Sequence, residues 1–477
     1  MTDNKKVLVL GAGPTGLAAA LRIAQAGRPV KLIERLGWTG GLCKSLRRGP
    51  YVLDLGPHRF TPHNREVNDF VSNLLNGDLH VVKYKAEIWI GDRFIKYPFS
   101  LGNLLKSIPP TLSIKLISTY LASFLNSGKQ GERTYEEWVM NHFGGEVTKL
   151  VLRPLIEKVW ATPLSGLASR FARQRIAIAS LWEIAWEVLT GRRPAKFRSE
   201  FYPDNCFLYP PKGFGHIMER MTEEYEKAGG GVAVDSTVKE VHVDDGRVTK
   251  VVYEKNGNLE MEENPGTVIS TIPIQYFFEI VKPTPPPRVL EAAKKLKTRR
   301  LILLYLVLKM DRFSQNTSLY FPAGEFPCGR VWEQKNHSRK TVDVPGRTVL
   351  GLEIPCWESD DLWKMDDIGI CERAIQPFEK HGLIKREDVE EYFTVKLGSV
   401  YPVWDVDFEK NLEVLLDYER GIENLIFNGR PGLFFYNNLH HSLDMGFVSA
   451  NHVLSGKSKR EKWEVESKAF AAFQLVE

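Results

Sequence analysis

The opening of the chain constrains its fold more than any other feature. Val7-Leu8-Val9-Leu10 is a short continuous apolar run, the pattern of a strand buried on both faces. It leads into Gly11-Ala12-Gly13-Pro14-Thr15-Gly16. Leu17, Ala18, Ala20, Leu21 and Ala24 then give a small-residue helix face, closed by Ala26-Gly27. Val30-Lys31-Leu32-Ile33 reads as a second strand with Glu34 at its end. Strand, GxGxxG, helix, strand and acid in this order predict a dinucleotide-binding α/β unit. Gly11, Gly13 and Gly16 make the tight turn and let a pyrophosphate approach the helix N-terminus, and Glu34 accepts from a ribose hydroxyl.

Six residues beyond Glu34 stands Gly40-Gly41-Leu42, followed by Tyr51-Val52-Leu53-Asp54-Leu55-Gly56-Pro57-His58. A nicotinamide dehydrogenase has no need of a second glycine pair at that distance, so FAD is preferred. GxGxxG, acid, GG and a strand ending in D-x-G together resemble the FAD-binding opening of the amine oxidase and protoporphyrinogen oxidase superfamily. Gly56-Pro57-His58-Arg59-Phe60 is more similar to UDP-galactopyranose mutase and its oxidoreductase-like relatives, where this tripeptide lies beside the isoalloxazine.

Later segments resemble the same superfamily. Tyr209-Pro210-Pro211-Lys212-Gly213 is similar to its Y-P-x-G-G segment, and a helix is expected over 218–227. Residues 235–241 alternate like a strand, with a hairpin at Asp244-Asp245-Gly246. The resemblance implies that Val238 lends backbone groups to the adenine. Val268-Ile269-Ser270-Thr271-Ile272-Pro273 is similar to V-I-x-T-x-P, a strand ending below the cofactor. In the C-terminal part, Leu425-Ile426-Phe427 is a buried strand running into Asn428-Gly429-Arg430-Pro431-Gly432 and Tyr436. This resembles the mutase-like G-R-x-G-x-x-x-Y, with Asp444, Met445 and a helix over 446–454 capping the flavin. Phe434-Phe435 stand where the mutases carry an arginine and tyrosine, while Tyr436 keeps the tyrosine that contacts substrate diphosphate there.

The expected fold is α/β and two-lobed. A Rossmann-like FAD lobe is assembled from residues 1–60, 205–275 and 396–477, with a mainly helical insertion at 61–204 and a β-rich substrate domain at 276–395. Helices are expected at 64–75, 101–106, 112–125, 135–143, 147–160 and 181–190, Thr134 and Glu137 forming a capping box. Leu301 to Leu308 is an apolar core strand, and Pro283 to Pro287 reads as a rigid linker.

The expected site follows from the resemblance. Gly11, Gly13, Gly16, Glu34, Arg35, Gly40, Gly41, Leu42, Gly56, Pro57, His58, Val238, Asp444 and Met445 bind FAD. His58, Arg430 and Tyr436 face the reacting groups, with no proton transfer claimed for His58. Among Arg170, Arg173 and Arg175, most read as a solvated face, and one joins Arg430 in holding an acidic group. FAD is expected to be non-covalent: the last of five scattered cysteines is Cys371, so no C-terminal cysteine can attach it. Cys43 reads as a packed hydrophobe. No metal is expected, since His440 and His441 would point opposite ways on a strand and no third ligand is spaced for zinc.

Three functions follow. The leading one is an FAD-dependent oxidoreductase taking a hydride from a bulky organic substrate onto flavin N5. The alternatives are a non-redox mutase-like enzyme, using reduced N5 as nucleophile on a nucleotide sugar, and a flavin-binding protein without turnover. Partners are thus small molecules, bulky and apolar or nucleotide-sugar. A net charge of +5 over 477 residues is no nucleic-acid footprint. No signal peptide or spanning run is read, predicting a cytoplasmic protein, with peripheral membrane contact and oligomeric state left open.

Overall fold

The structure is a computed structural model that describes residues 5–97, 110–126, 131–176 and 199–475. Its centre is a five-stranded parallel sheet in the order Leu425–Phe427, Thr267–Ser270, Val7–Leu10, Val30–Ile33 and Gly231–Ala233. Val7 to Leu10 are wholly buried, as both faces of this strand are covered by helices or by a second sheet. Three widely separated stretches of chain therefore share one sheet, whose strand ends meet at the glycine-rich turn.

Helix Pro14–Gln25 packs against helix Leu439–Ser455. A Cβ on Gly446 would come 2.6 Å from Thr15 O and 2.7 Å from Ala18 Cβ, so glycine permits the close approach. The four-stranded sheet is built around strands Ser236–Asp244 and Arg247–Lys255. They turn at Asp245 and Gly246, which both have positive φ as a two-residue hairpin requires.

The second large sheet has seven strands, in the order Val389–Pro402, Thr298–Leu308, Thr348–Cys356, Arg330–Glu333, Ser318–Tyr320, Ala86–Trp89 and Phe94–Tyr97. Two of them belong to the stretch read as mainly helical, which also holds strand His80–Lys83. Their four-residue length gave too little periodicity to separate them from loops. Strand Val389–Pro402 runs through the expected boundary at 395, so that boundary cuts an element.

Of the expected helices, Arg65–Leu74, Pro110–Asn126 and Tyr135–Phe143 form, the last with the Thr134–Glu137 capping box. The one expected over 147–160 also forms, as a continuous helical stretch that widens by one turn at Thr148–Leu152 before Arg153–Trp160, where Pro154 cannot donate to the preceding turn. Those expected at 101–106 and 181–190 lie outside the described residues. The proline run is not only a linker: Pro287 starts helix Pro287–Lys295. Among the described residues, no helix is long and apolar enough to cross a membrane.

Candidate active site

The glycine turn offers backbone rather than side chains to whatever lies above it. Gly13 precedes helix Pro14–Gln25 with no side-chain cap, and a Cβ built on it would meet nothing within 4 Å. That helix end therefore presents free N–H groups and a positive dipole to open space. The neighbouring glycines face protein instead. A Cβ on Gly11, at φ +99°, would collide with Thr271 Oγ1, and one on Gly16 with Gly11 O at 2.1 Å. The second glycine pair is tied to the first, because Gly40 N donates to Ala12 O at 2.7 Å. A Cβ on Gly41 would lie 3.3 Å from Gly13 Cα.

Glu34, buried at the end of its strand, accepts from Ala12 N at 2.7 Å and Leu36 N at 2.8 Å. Burial raises its pKa, and the two backbone donors oppose the shift. Each carboxylate oxygen keeps a lone pair for a ribose hydroxyl. Arg35 points to solvent. Val238 is buried, and its carbonyl accepts from Tyr276 Oη at 2.7 Å.

Beneath the turn, Asp54 is wholly buried. It accepts from Ser45 Oγ at 2.5 Å, Phe214 N at 3.0 Å and Gln334 Nε2 at 3.3 Å, and also from the Tyr209 hydroxyl. One carboxylate thus joins the D-x-G strand, the Y-P-P-K-G segment and the short helix Gln334–His337 that follows strand Arg330–Glu333 of the seven-stranded sheet. Gly56 follows at φ +122°. His58 stacks on Phe214 at 5.0 Å. Its Nε2 lies 2.8 Å from Leu42 O, and since a carbonyl only accepts, Nε2 carries the proton. Burial lowers this histidine's pKa to about 4, so at neutral pH it is a fixed neutral ring. Cys43 is buried and pushed up to about 12, which makes it a packed thiol rather than a nucleophile.

Arg430 lies beyond His58. Its nitrogens donate to the Asn437 side-chain and backbone oxygens, and among the described residues no carboxylate is within ion-pair distance. Its guanidinium carbon lies 5.3 Å from the Tyr436 ring centre and 5.8 Å from that of Tyr401. Arg175 approaches Tyr436 too, at 5.4 Å. Tyr436 meets Trp160 and Tyr401 at 5.7 Å each and Phe171 at 5.9 Å, so both cations sit against an aromatic wall. Arg170 and Arg173 instead pair with Glu409 and Glu132.

Neither Tyr401 nor the Arg330–Glu353 pair belongs to a sequence motif. In that pair Arg330 Nε and Nη2 donate to Glu353 Oε2 and Oε1 at 2.6 and 3.1 Å. Glu353 Oε1 would lie 3.4 Å from a Cβ on Gly56, which brings this pair beneath the G-P-H segment.

Two expectations for the C-terminal segment need correction. Asp444 and Met445 do not precede a helix; they lie inside helix Leu439–Ser455, nearly two turns past its N-cap Asn438. Asp444 contacts His63 Nε2 at 3.2 Å, and Met445 O accepts from Asn428 Nδ2 at 2.8 Å. His440 and His441 are in the first turn of that helix, not on a strand. His63, remote in sequence, joins them so that one nitrogen from each ring lies within 4.8 Å of the others. Three imidazoles in that space could hold a metal ion, so the argument from a missing third ligand does not stand.

The chain matches the model of the flavin-containing amine oxidoreductases over residues 14–355. It is 23% identical over 306 residues to a phytoene desaturase of Fusarium fujikuroi, an alignment that takes in 59% of this chain and 52% of that one. The chain thus spans about half the length of this curated relative. In fold it is similar to reduced UDP-galactopyranose mutase, with a TM-score of 0.78 at 22% identity over 94% of this chain and 96% of that one. It is also similar to a protein of Exiguobacterium sp. 255-15 provisionally assigned as a protoporphyrinogen oxidase. There the TM-score is 0.70 at 16% identity, over 95% and 99% of the two chains.

Proposed function

We propose that this chain, which belongs to the flavin-containing amine oxidoreductase family, holds FAD non-covalently and oxidises a bulky organic substrate that carries an acidic group. The open backbone cradle at Gly13 supports the cofactor's fit, because it is the one glycine of the turn whose missing Cβ leaves space rather than protein contact. Gly11, Gly13 and the first helix would hold the pyrophosphate, Glu34 the ribose, and Gly40, Gly41, Leu42 and Gly56-Pro57-His58 the remainder. Bound there, the isoalloxazine supplies a two-electron acceptor.

The observation that carries the substrate reading is the pair Arg430 and Arg175 on the Tyr436 ring. Arg430 is held by neutral oxygens, so its charge is available to a carboxylate or phosphate. Trp160, Phe171 and Tyr401 give the same space apolar walls that exclude water and orient a flat or extended body. His58, neutral and donating to Leu42 O, keeps the chain in place beside that space and moves no proton.

The arginine pair and the resemblance to UDP-galactopyranose mutase also favour a second reading, a non-redox reaction on a nucleotide sugar. Anaerobic mixing separates the two. The oxidoreductase bleaches oxidised flavin when given its substrate, and an acceptor restores the colour. Turnover of a UDP-sugar only after dithionite reduction, with no net change of flavin colour, would replace the first reading by the second.

A further inference from the structure

Two segments far apart in the chain bring three imidazoles together. His63 lies just after the G-P-H-R-F segment and before helix Arg65–Leu74, and His440 and His441 stand in the first turn of helix Leu439–Ser455. The ring centres of His440 and His441 are 4.0 Å apart, and His63 lies 5.1 Å from each. Among the described residues, no other three histidine, cysteine or carboxylate side chains gather with the spacing of metal ligands. Around a tetrahedral zinc ion the ligand nitrogens stand about 3.4 Å apart. The three rings, now within 4.8 Å, reach that spacing by a small rotation of His63, whose side chain is 34% exposed.

The surroundings suit a cation. Asp444 Oδ2 lies 3.2 Å from His63 Nε2. Asp444 follows His440 by four residues and His441 by three, so it shares their side of the helix. His441 Nδ1 lies 3.3 Å from Asn438 N. A backbone N–H only donates, so this ring is neutral, and the contact is long enough to be exchanged for a metal bond. His440 Nδ1 lies 3.4 Å from Thr61 Oγ1, a hydroxyl able to hold its N–H while the second nitrogen binds. Phe473 stacks on His441 at 4.4 Å and meets His63 at 5.7 Å, an apolar cover on one side. The opposing charge is Arg430, whose field reaches His441 and whose nitrogens are held by Asn437. His440 and His441 are buried, and the partly exposed His63 and Asp444 give solvent access to the cluster.

We propose that His63, His440 and His441 bind one divalent transition-metal ion of the zinc type, with Asp444 balancing its charge. The ion clasps the segment after G-P-H-R-F to the first turn of helix Leu439–Ser455. Imidazole donors select zinc, cobalt or nickel over magnesium and calcium, which take oxygen ligands. None of these four residues enters the proposed function, so the site does not depend on the flavin reading.

The test is zinc uptake by the protein as isolated, dialysed first against EDTA and then titrated in equilibrium dialysis. The wild type is expected to take up one zinc per chain saturably and to melt higher with zinc than without it. Cobalt in its place should give the strong visible bands of a four-coordinate ion, read as a difference spectrum over any bound flavin. His63→Gln, at a partly exposed position that folding tolerates, should weaken zinc binding at least about tenfold and remove the melting shift. Asp444→Asn should weaken binding severalfold, and His80→Gln, at an exposed histidine outside the cluster, should leave it unchanged. No saturable zinc uptake by the wild type, only the faint bands of octahedral cobalt, or equal zinc affinity in wild type and His63→Gln would overturn the proposal.

Discussion

The guanidinium of Arg430 lies 5.3 Å from the Tyr436 ring centre and is fixed there by Asn437, seven residues along the chain. The loop between them folds back, so the cation is positioned by local chain geometry and not by a counter-charge. Its role is therefore toward a ligand. Arg430→Ala should weaken binding of an acidic ligand by about 1.5–3 kcal/mol. Arg430→Lys should recover only part, since a lysine cannot keep both Asn437 contacts and the face on Tyr436. Titration with UDP, followed through flavin absorbance, measures both. Equal affinities in all three proteins would mean that the acidic group lies elsewhere.

Glu34 has two duties. Glu34→Ala leaves the Ala12 and Leu36 N–H groups without their acceptor, at a cost of about 1–3 kcal/mol each where water does not reach them. The variant should therefore melt lower even without cofactor, and its FAD affinity should fall as well. Thermal melts of stripped protein give the first effect, and FAD titration gives the second. A stripped variant as stable as wild type would show that the carboxylate does not order the turn.

Asp54 joins three parts of the fold through one carboxylate. Asp54→Ala abandons four donors at a fully buried point and should destabilise the protein by at least about 3 kcal/mol. Urea unfolding of the stripped protein checks this. A loss below about 1 kcal/mol would mean that water or a rearranged neighbour satisfies Ser45, Tyr209 and Gln334.

The legible part of the fold was the part with local signals. The first parallel unit needed only apolar runs of four residues, fixed glycine spacing and Glu34. The hairpin at Asp245-Gly246 and the Thr134 cap were equally local. Strands Ala86–Trp89 and Phe94–Tyr97 were not, because the edge of a sheet formed with distant segments defines them. The same holds for the site. Arg430 and Tyr436 came with a motif, whereas Tyr401, Arg330 and Glu353 have no local pattern and meet the motif only through the seven-stranded sheet. Helix Leu439–Ser455 starts seven residues before the expected 446–454, a start the pattern hides because its first turn, Leu439-His440-His441-Ser442, is poor in strong helix formers. Its cap at Asn438 identifies the true start.

Acid should destabilise the fold. Burial pushes His58 and His452 down to about 4 and His337 and His441 to about 3. Below about pH 6.5 these histidines take up protons in the unfolded chain but not in the folded one, so stability rises with pH from about 4 to 6.5 and levels above it. Glu34 and Asp54, raised by burial, act in the opposite sense closer to their unfolded values, which leaves the histidine slope clearest near its upper end. Denaturant midpoints at pH 7.5, 6.5 and 5.5 are expected to fall slightly over the first step and about threefold more over the second. A midpoint that rises from 6.5 to 5.5 contradicts this account of the buried histidines.

The central claim is a flavin pyrophosphate over the backbone of Gly13, and Gly13→Val addresses it most directly. Gly13 has φ −69°, an ordinary value, and its Cβ position is empty, so the stripped variant should fold with wild-type stability to within about 0.5 kcal/mol. The same side chain would fill the space above the helix end. After reconstitution with FAD, denaturation should release about one flavin per wild-type chain and none from the variant. Wild-type protein that takes up no FAD, flavin that stays with the denatured chain, or a variant that loads as well as wild type would contradict it.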